Sequence, residues 1–365
     1  MIDLRSDTFT RPTKEMRRAM ADAEVGDDVW GEDPTVRELE EETAALLGKE
    51  SALYVTSGHM ANQLGLWVSS RSGEEVWAHE NHHLIGDEQG AAVVLSRVLP
   101  RLYSGDPFPP AELLERWIAG LGNVHRADPA LLWLENTFSG RVVPLDEQRR
   151  VTDFAHAHGL KAHLDGARLW NAAVHLGVEP AGVAEGFDTV SVCFSKGLGA
   201  PVGSAVAGDA DTIRRARRGR KLLGGGMRQA GVIAAGALYA LRHHRARLAE
   251  DHARATRLAA RVDALPGLNA VARTNMVLVT TPEGEADRYL EAFAAQGVRA
   301  LGGGDRIRMV MSLEITDGDV EEAATALARA VEGLRPIAGQ SGDASVHLAD
   351  HTGGPNPEGV AHHIA

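Results

Sequence analysis

The sequence predicts an α/β protein with a large domain on a mostly parallel sheet and a smaller C-terminal α+β domain. Three observations carry this reading. Apolar strand-like runs alternate with helical segments over most of the chain, the pattern of βαβ units. The helical segments have start and stop residues where the pattern needs them. Beyond Pro266-Gly267 the pattern changes to shorter strands and helices.

The elements follow in order. Asp33-Pro34 places a capping carboxylate before a proline at the first helical position, and Val36, Leu39, Thr43, Leu46 and Leu47 then share one face up to a stop at Gly48. Residues 52–56 read as a strand, Ser57-Gly58-His59 as a tight turn and 60–68 as a helix. Residues 131–134 form a short apolar strand. Residues 145–158 form a helix closed by Gly159. Residues 160–164 alternate, with Asp165 just past the end, and the next helix stops at Gly177. The run 189–194 is a strand that enters Ser195-Lys196, and 202–207 is another. One long helical region is expected between Gly224-Gly225-Gly226 and Pro266-Gly267. Strands at 276–279 and 307–311 and helices at 286–296 and 320–334 complete the smaller domain. After about Pro336 periodicity is lost, and a disordered tail is expected, its histidines solvated.

Composition excludes several classes. The 365 residues carry 38 Lys+Arg against 50 Asp+Glu, a formal charge of −12. That balance argues against nucleic-acid or membrane-surface partners. No apolar run approaches the roughly 20 residues of a membrane helix. The N-terminal stretch lacks a secretory h-region. A single cysteine, Cys193, permits no intrachain disulfide and no Cys-rich zinc ribbon, and suits a reducing, cytoplasmic setting. Cys193 itself reads as buried and inert.

The chemistry concentrates at two strand ends. Asp165 and Lys196 lie 31 positions apart, the span of one βαβ crossover, so both can face the crevice where open α/β sheets bind ligands. Ser57-Gly58-His59 opens a helix and offers backbone amides to an anion. A phosphate cradle, a carboxylate and a lysine together suit pyridoxal phosphate (PLP). Its phosphate takes oriented N–H donors, its pyridine nitrogen an anionic partner and its aldehyde an amine. Arg168, three residues past Asp165, can reach the ring hydroxyl or a substrate carboxylate.

Several stretches together resemble the L-threonine aldolases: IDLRSDT from Ile2, GDDVWGEDPTV from Gly26, SGHMANQ from Ser57, LENT from Leu134, HLDGARL from His163, SVCFSKGLGAPVG from Ser191 and LGGGMRQA from Leu223. The resemblance runs to about Leu334. It implies the type I PLP fold with a seven-stranded sheet. It also implies an N-terminal segment (1–30) contributing to the active site, a large PLP-binding domain (31–250) and a small domain (251–335). It implies cleavage or formation of L-β-hydroxy-α-amino acids, with glycine and an aldehyde as the small-molecule partners, in a homo-oligomer, a dimer at least and commonly a tetramer. Position by position it assigns Lys196 as the cofactor-bearing lysine and Asp165 as the partner of the pyridine nitrogen. Arg168 falls near the ring hydroxyl and substrate carboxylate. Ser57, Gly58 and His59 fall in the phosphate loop, and His83 is the ring-stacking histidine. Arg308 and Ser6 attend the substrate carboxylate, and Arg228 is lent to a neighbouring subunit's phosphate.

The sequence departs from the family at the reacting end. The usual histidine after LENT is Phe138, which has no proton to exchange. His83, His59 or a bound water then remains for the β-hydroxyl proton. His59 replaces a threonine, Trp30 a tyrosine, and Met311-Ser312 a Thr-His pair. Phe138 and Trp30, if both line the pocket, favour apolar or aromatic aldehydes. The alternatives are neutral drift in a threonine aldolase, a β-eliminating lyase or transaldolase acting on another β-substituted amino acid, and a non-catalytic PLP-fold protein.

Two motifs are set aside. His79-Glu80-Asn81-His82-His83 matches H-E-x-x-H, but that zinc pattern needs a helix, whereas 76–78 reads as a strand entering a turn, and no metal is expected. The basic run RRARRGRK from Arg214 reads as a solvated helix or a subunit-interface element.

Overall fold

Side-chain caps start several of the helices in this chain. The computed structural model describes residues 1–334; the tail expected after Pro336 lies outside them. Strand β1 (Ile2–Asp3) precedes helix α1 (Lys14–Ala21), which is capped by Thr13 accepting from Met16 N–H at 3.2 Å. Helix α2 (Pro34–Leu47) starts and stops as predicted: Asp33 accepts from Val36 N–H at 3.0 Å, and Gly48 closes it at φ 63°. Asp33 does more than cap. It is buried and also accepts from the amides of Gly231 (2.7 Å) and Gly26 (3.3 Å). One carboxylate thus joins the N-terminal segment, α2 and a helix some 200 positions away.

The large domain continues through β2 (Ser51–Val55), α3 (Gly58–Ser69), β3 (Glu75–His79), α4 (His83–Gly86), β4 (Leu99–Tyr103), α5 (Ala111–Ile118) and β5 (Pro129–Glu135). It is completed by α6 (Leu145–Ala157), β6 (Lys161–Gly166), α7 (Leu169–Leu176), α8 (Pro180–Ala184), β7 (Thr189–Cys193), β8 (Ser204–Gly208) and α9 (Ala210–Leu222). Seven strands form one sheet in the order β2-β8-β7-β6-β5-β3-β4, and only β8 runs against its neighbours. Both faces are covered, as a mostly parallel sheet requires. Ala52 and Tyr54 point into the core shared with α2, while Leu53 and Val55 pack under α3 and α9.

Two expectations are corrected. Asp165 lies inside β6, because parallel neighbours on both sides extend its ladder to Gly166. The single long helix after the triple glycine is two, α10 (Gly231–His243) and α11 (Leu248–Asp263). Helix α10 packs on α1 and α2, whereas α11 packs on the small domain, so the chain must change direction between them. His244 fixes that break by donating from Nδ1 to the Leu198 carbonyl at 2.7 Å.

The small domain comprises β9 (Asn269–Arg273), β10 (Met276–Thr280), α12 (Ala286–Ala295), β11 (Val298–Arg299), β12 (Leu301–Gly303), β13 (Arg306–Val310) and α13 (Asp317–Leu334). Four strands form an antiparallel sheet, β12-β13-β10-β9. Its helix-covered face buries Val277, Val279, Ile307 and Met309. Strand β1 pairs with β11, so Ile2 and Leu4 join this core. Part of the basic run is held in ion pairs: Arg217 with Glu40 (2.6 Å) and buried Arg220 with Asp28 (2.8 Å). Among the described residues no helix is long and apolar enough to cross a membrane.

Replacing Asp33 with alanine strands three backbone donors, two of them on distant segments. Urea unfolding of Asp33→Ala is expected to show a loss of about 2–3 kcal/mol, against about 1 kcal/mol for Thr13→Ala, an ordinary cap. Equal losses would show that Asp33 is only a cap.

Candidate active site

Parallel neighbours bring the carboxyl ends of β5, β6 and β7 to one edge of the sheet. Glu135 pairs in register with Asp165, and Asp165 with Ser191; Lys196 follows β7 by three residues. Between this edge and the uncovered face of the small sheet lies a cavity of ≈ 790 Å³, lined by Lys196, Asp165, Arg168, His83, Ser6, Arg308, Glu135 and Phe138 among others.

Asp165 is buried. Its Oδ1 accepts from Ala167 N–H at 2.9 Å and its Oδ2 from the Asn62 amide at 2.7 Å. Burial works against its charge, but Lys196 first, then His83 and these hydrogen bonds, hold the carboxyl below its ordinary range. Glu135, next to it, goes the other way. Burial first, then the Asp165 charge, push its carboxyl well above the ordinary range. Two adjacent carboxyls are thus driven in opposite directions, the pattern by which neighbouring titratable groups take different protonation states.

Arg168 is oriented by Asp7. The guanidinium donates from Nε (2.9 Å) and Nη2 (2.7 Å) to the two carboxylate oxygens, a bidentate pair. Asp7 is fully buried and also accepts from Asn275 Nδ2 at 3.2 Å, so the pair ties the N-terminal segment to both domains. Ser6 caps this turn by accepting from Thr8 N–H at 3.3 Å and faces the cavity. Arg308 has no such partner. It is only 7 % exposed, and its Nε bonds to nothing among the described residues. Burial, then the Arg168 charge, pull its guanidinium down to about 10. A desolvated cation beside another cation is a site for an anion.

His83 is held by Glu88, its Nδ1 donating to Oε1 at 2.9 Å. Ser57 caps α3 by accepting from Met60 N–H at 3.1 Å. A Cβ at Gly58 would stand 2.9 Å from Cys193 Sγ, so glycine lets the helix start press against the end of β7. The amides of Gly58 and His59 donate to nothing among the described residues. Ser57, Gly58 and His59 do not line the cavity; they approach it through Asn62 of the same helix. Phe138 does line it, edge-on to His79 at 4.8 Å and His82 at 5.7 Å. Trp30 does not. In the short helix Asp28–Trp30 the Asp28 carboxylate is buried against Arg220, whereas Trp30 is 76 % exposed on the surface of the chain. Arg228 is also outside the cavity, exposed and bonded to Asp27 at 2.8 Å. The H-E-x-x-H histidines end a strand and enter a turn. His79 accepts from Asn81 N–H at its Nδ1, His82 Nδ1 accepts from His79 N–H, and His83 alone of the three lines the cavity.

A profile of the beta-eliminating lyase family matches residues 3–283. Low-specificity L-threonine aldolase 1 of Arabidopsis thaliana is 40 % identical over 87 % of this chain and 93 % of its own length. The low specificity L-threonine aldolase of Escherichia coli K12 is 38 % identical over 89 % and 97 %. The chain belongs to the threonine aldolase family. The threonine aldolase of Leishmania major shares the fold, with a TM-score of 0.78 at 18 % identity, covering 91 % of this chain and 100 % of that one.

The enzyme is thus a PLP-dependent aldehyde-lyase, and its residues fit the cofactor. A buried carboxylate held ionised faces the cavity, a lysine stands beyond the next strand, and two unengaged amides open a capped helix nearby. Asp7, Glu88, Asn62 and Glu135 were not singled out from the sequence. Asp7, Asn62 and Glu135 do lie within the quoted motifs, whereas nothing around Glu88 marks it.

Arg308 is thus a buried guanidinium without a partner among the described residues. Arg308→Met is expected to leave the protein as stable as wild type or about 1 kcal/mol more stable, since a buried unpaired charge is removed. The same variant should lose the rise in melting temperature that glycine gives wild type. A marked loss of stability would mean that Arg308 has a structural partner.

Proposed function

We propose that the enzyme cleaves L-β-hydroxy-α-amino acids, L-threonine among them, to glycine and an aldehyde, and forms them in reverse. The observation that carries this reading is Arg308, a desolvated guanidinium with no partner among the described residues, in one cavity with Lys196 and Asp165. The names of the full-length relatives support it. Lys196 would hold the cofactor, Asp165 its pyridine nitrogen and Arg168 the ring hydroxyl or the substrate carboxylate. Gly58 and His59 amides, on the helix Ser57 caps, would take the phosphate. Arg228 and Trp30, exposed on this chain, would serve a neighbouring copy, which favours a homo-oligomer. The buried, single Cys193 suits a reducing compartment.

Bound PLP supplies an electron-accepting ring for the pair released at the substrate's Cα. The chain's residues choose which bond breaks. Arg308 and Ser6 grip the carboxylate, and that grip fixes the angle at which the Cα–Cβ bond stands. His83 is the cavity's histidine and can hold the β-hydroxyl proton.

The β-substituent meets an apolar wall. Val271, Leu278, Arg308 and Leu301 form one row across the small sheet, Leu278 opposite both Val271 and Arg308, and Arg308 opposite Leu301. Apolar side chains therefore flank the carboxylate site, with Phe138 also lining the cavity. This favours aryl or longer alkyl substituents over methyl. β-Elimination is the second reading, favoured by the family profile's own description.

Product analysis separates the two. L-Threonine and L-phenylserine should each give glycine and an aldehyde, with kcat/KM about tenfold or more higher for phenylserine. A 2-oxoacid and ammonia without glycine would replace aldol cleavage by elimination.

A further inference from the structure

Glu88 lies outside the cavity lining and is fully buried, yet it is the acceptor for three side chains. Its Oε1 accepts from His83 Nδ1 at 2.9 Å and from Asn62 Nδ2 at 2.8 Å, and its Oε2 accepts from Gln63 Nε2 at 2.6 Å. Asn62 gives its other amide hydrogen to Asp165 Oδ2 at 2.7 Å and accepts from Ser191 Oγ at 2.7 Å. A buried carboxylate on an imidazole fixes both the ring's orientation and its tautomer, as in a catalytic triad.

We propose that Glu88 is a positioning residue: by accepting the His83 Nδ1 proton it leaves Nε2 as the nitrogen that exchanges the substrate's β-hydroxyl proton. This rests on the aldol reading above. In that step the O–H bond breaks as Nε2–H forms. The aldehyde C=O forms as the Cα–Cβ bond breaks, and PLP held by Lys196 and Asp165 would supply the acceptor for the released electron pair. A proton restored at Cα completes glycine.

The surroundings of His83 suit a base. Burial draws the imidazolium down, but the Glu88 hydrogen bond, then the Asp165 charge, more than offset it, and His83 sits above its ordinary value despite nearby Lys196. Glu135 accepts from the His83 backbone N–H, and His59 Nε2 stands 3.8 Å from Glu88 Oε2. The Asn62 fork means that Glu88 cannot shift without disturbing Asp165. His83 and Asp165 are thereby held in one hydrogen-bonded unit, although they come from different segments.

Glu88→Gln keeps the size and removes the charge. In the holoenzyme it should lower the retro-aldol rate about tenfold or more and move the acid limb of its pH profile down by about one unit, because a less basic imidazole frees Nε2 at lower pH. Exchange of the glycine α-proton with solvent needs no β-hydroxyl, so it should stay within about threefold of wild type. Diethylpyrocarbonate modification of His83, followed by peptide mass mapping, gives a readout independent of turnover, and its pH midpoint should fall in parallel. An unchanged midpoint overturns the proposal, as does an equal loss of exchange and cleavage. If Glu88→Gln does not fold, Glu88→Ala, which likewise removes the charge and the acceptor at Nδ1, serves in its place, and the same outcomes decide. A wild type that releases no aldehyde sinks the aldol reading instead, and the His83 midpoint still judges whether Glu88 sets the imidazole.

Discussion

A carboxylate buried at the end of a central strand is the constraint around which this cavity is arranged. Burying Asp165 in its charged form is unfavourable unless opposite charge and hydrogen-bond donors meet it. The fold supplies them from three directions. Parallel pairing of β6 with β7 brings Lys196 to the same edge. Helix α3 crosses that edge and presents Asn62. The turn after β6 folds back so that Ala167 N–H reaches Oδ1. Each depends on sheet order: with β7 elsewhere in the sheet, the lysine and the carboxylate would not share a cavity.

The remaining charges are arranged around that one. Asp7 answers Arg168 in a bidentate pair, Glu88 answers His83, and burial first, then the neighbouring Asp165 charge, push Glu135 toward its neutral form. Arg308 is left without an answer. On the proposed reading an amino acid's carboxylate would complete this imbalance, which is left open by the described residues. The N-terminal segment matters here too. Asp7 bonds to Arg168 of the large domain and Asn275 of the small one, and β1 anchors the same segment to β11. The cavity is therefore built from three parts of the chain locked by buried polar contacts.

Most of the architecture was legible in the sequence because its signals are local. The Asp33-Pro34 start, the glycine stops and the strand run before Lys196 are decided by neighbours in the chain, and the structure shows each. Asp165 and Lys196 could be placed at one sheet edge from a crossover length alone. Other features depend on distant partners. The break between α10 and α11 comes from the two domains they pack on and from the Leu198 carbonyl that His244 reaches. Trp30 looked like a pocket residue by position, but it lies exposed beside a buried Asp28–Arg220 pair that is invisible in sequence. Glu88 left no trace because its role lies wholly in side chains from α3 and α4.

On the proposed reading, Asp165 is a buried charge kept for the cofactor and not for the fold. The direct measurement is the affinity of apoenzyme for PLP in Asp165→Asn, alongside its unfolding free energy. The account predicts that affinity falls by about 100-fold or more, roughly 2.7 kcal/mol, while the apoenzyme stays as stable as wild type or gains stability. PLP binding at wild-type strength in Asp165→Asn would contradict it.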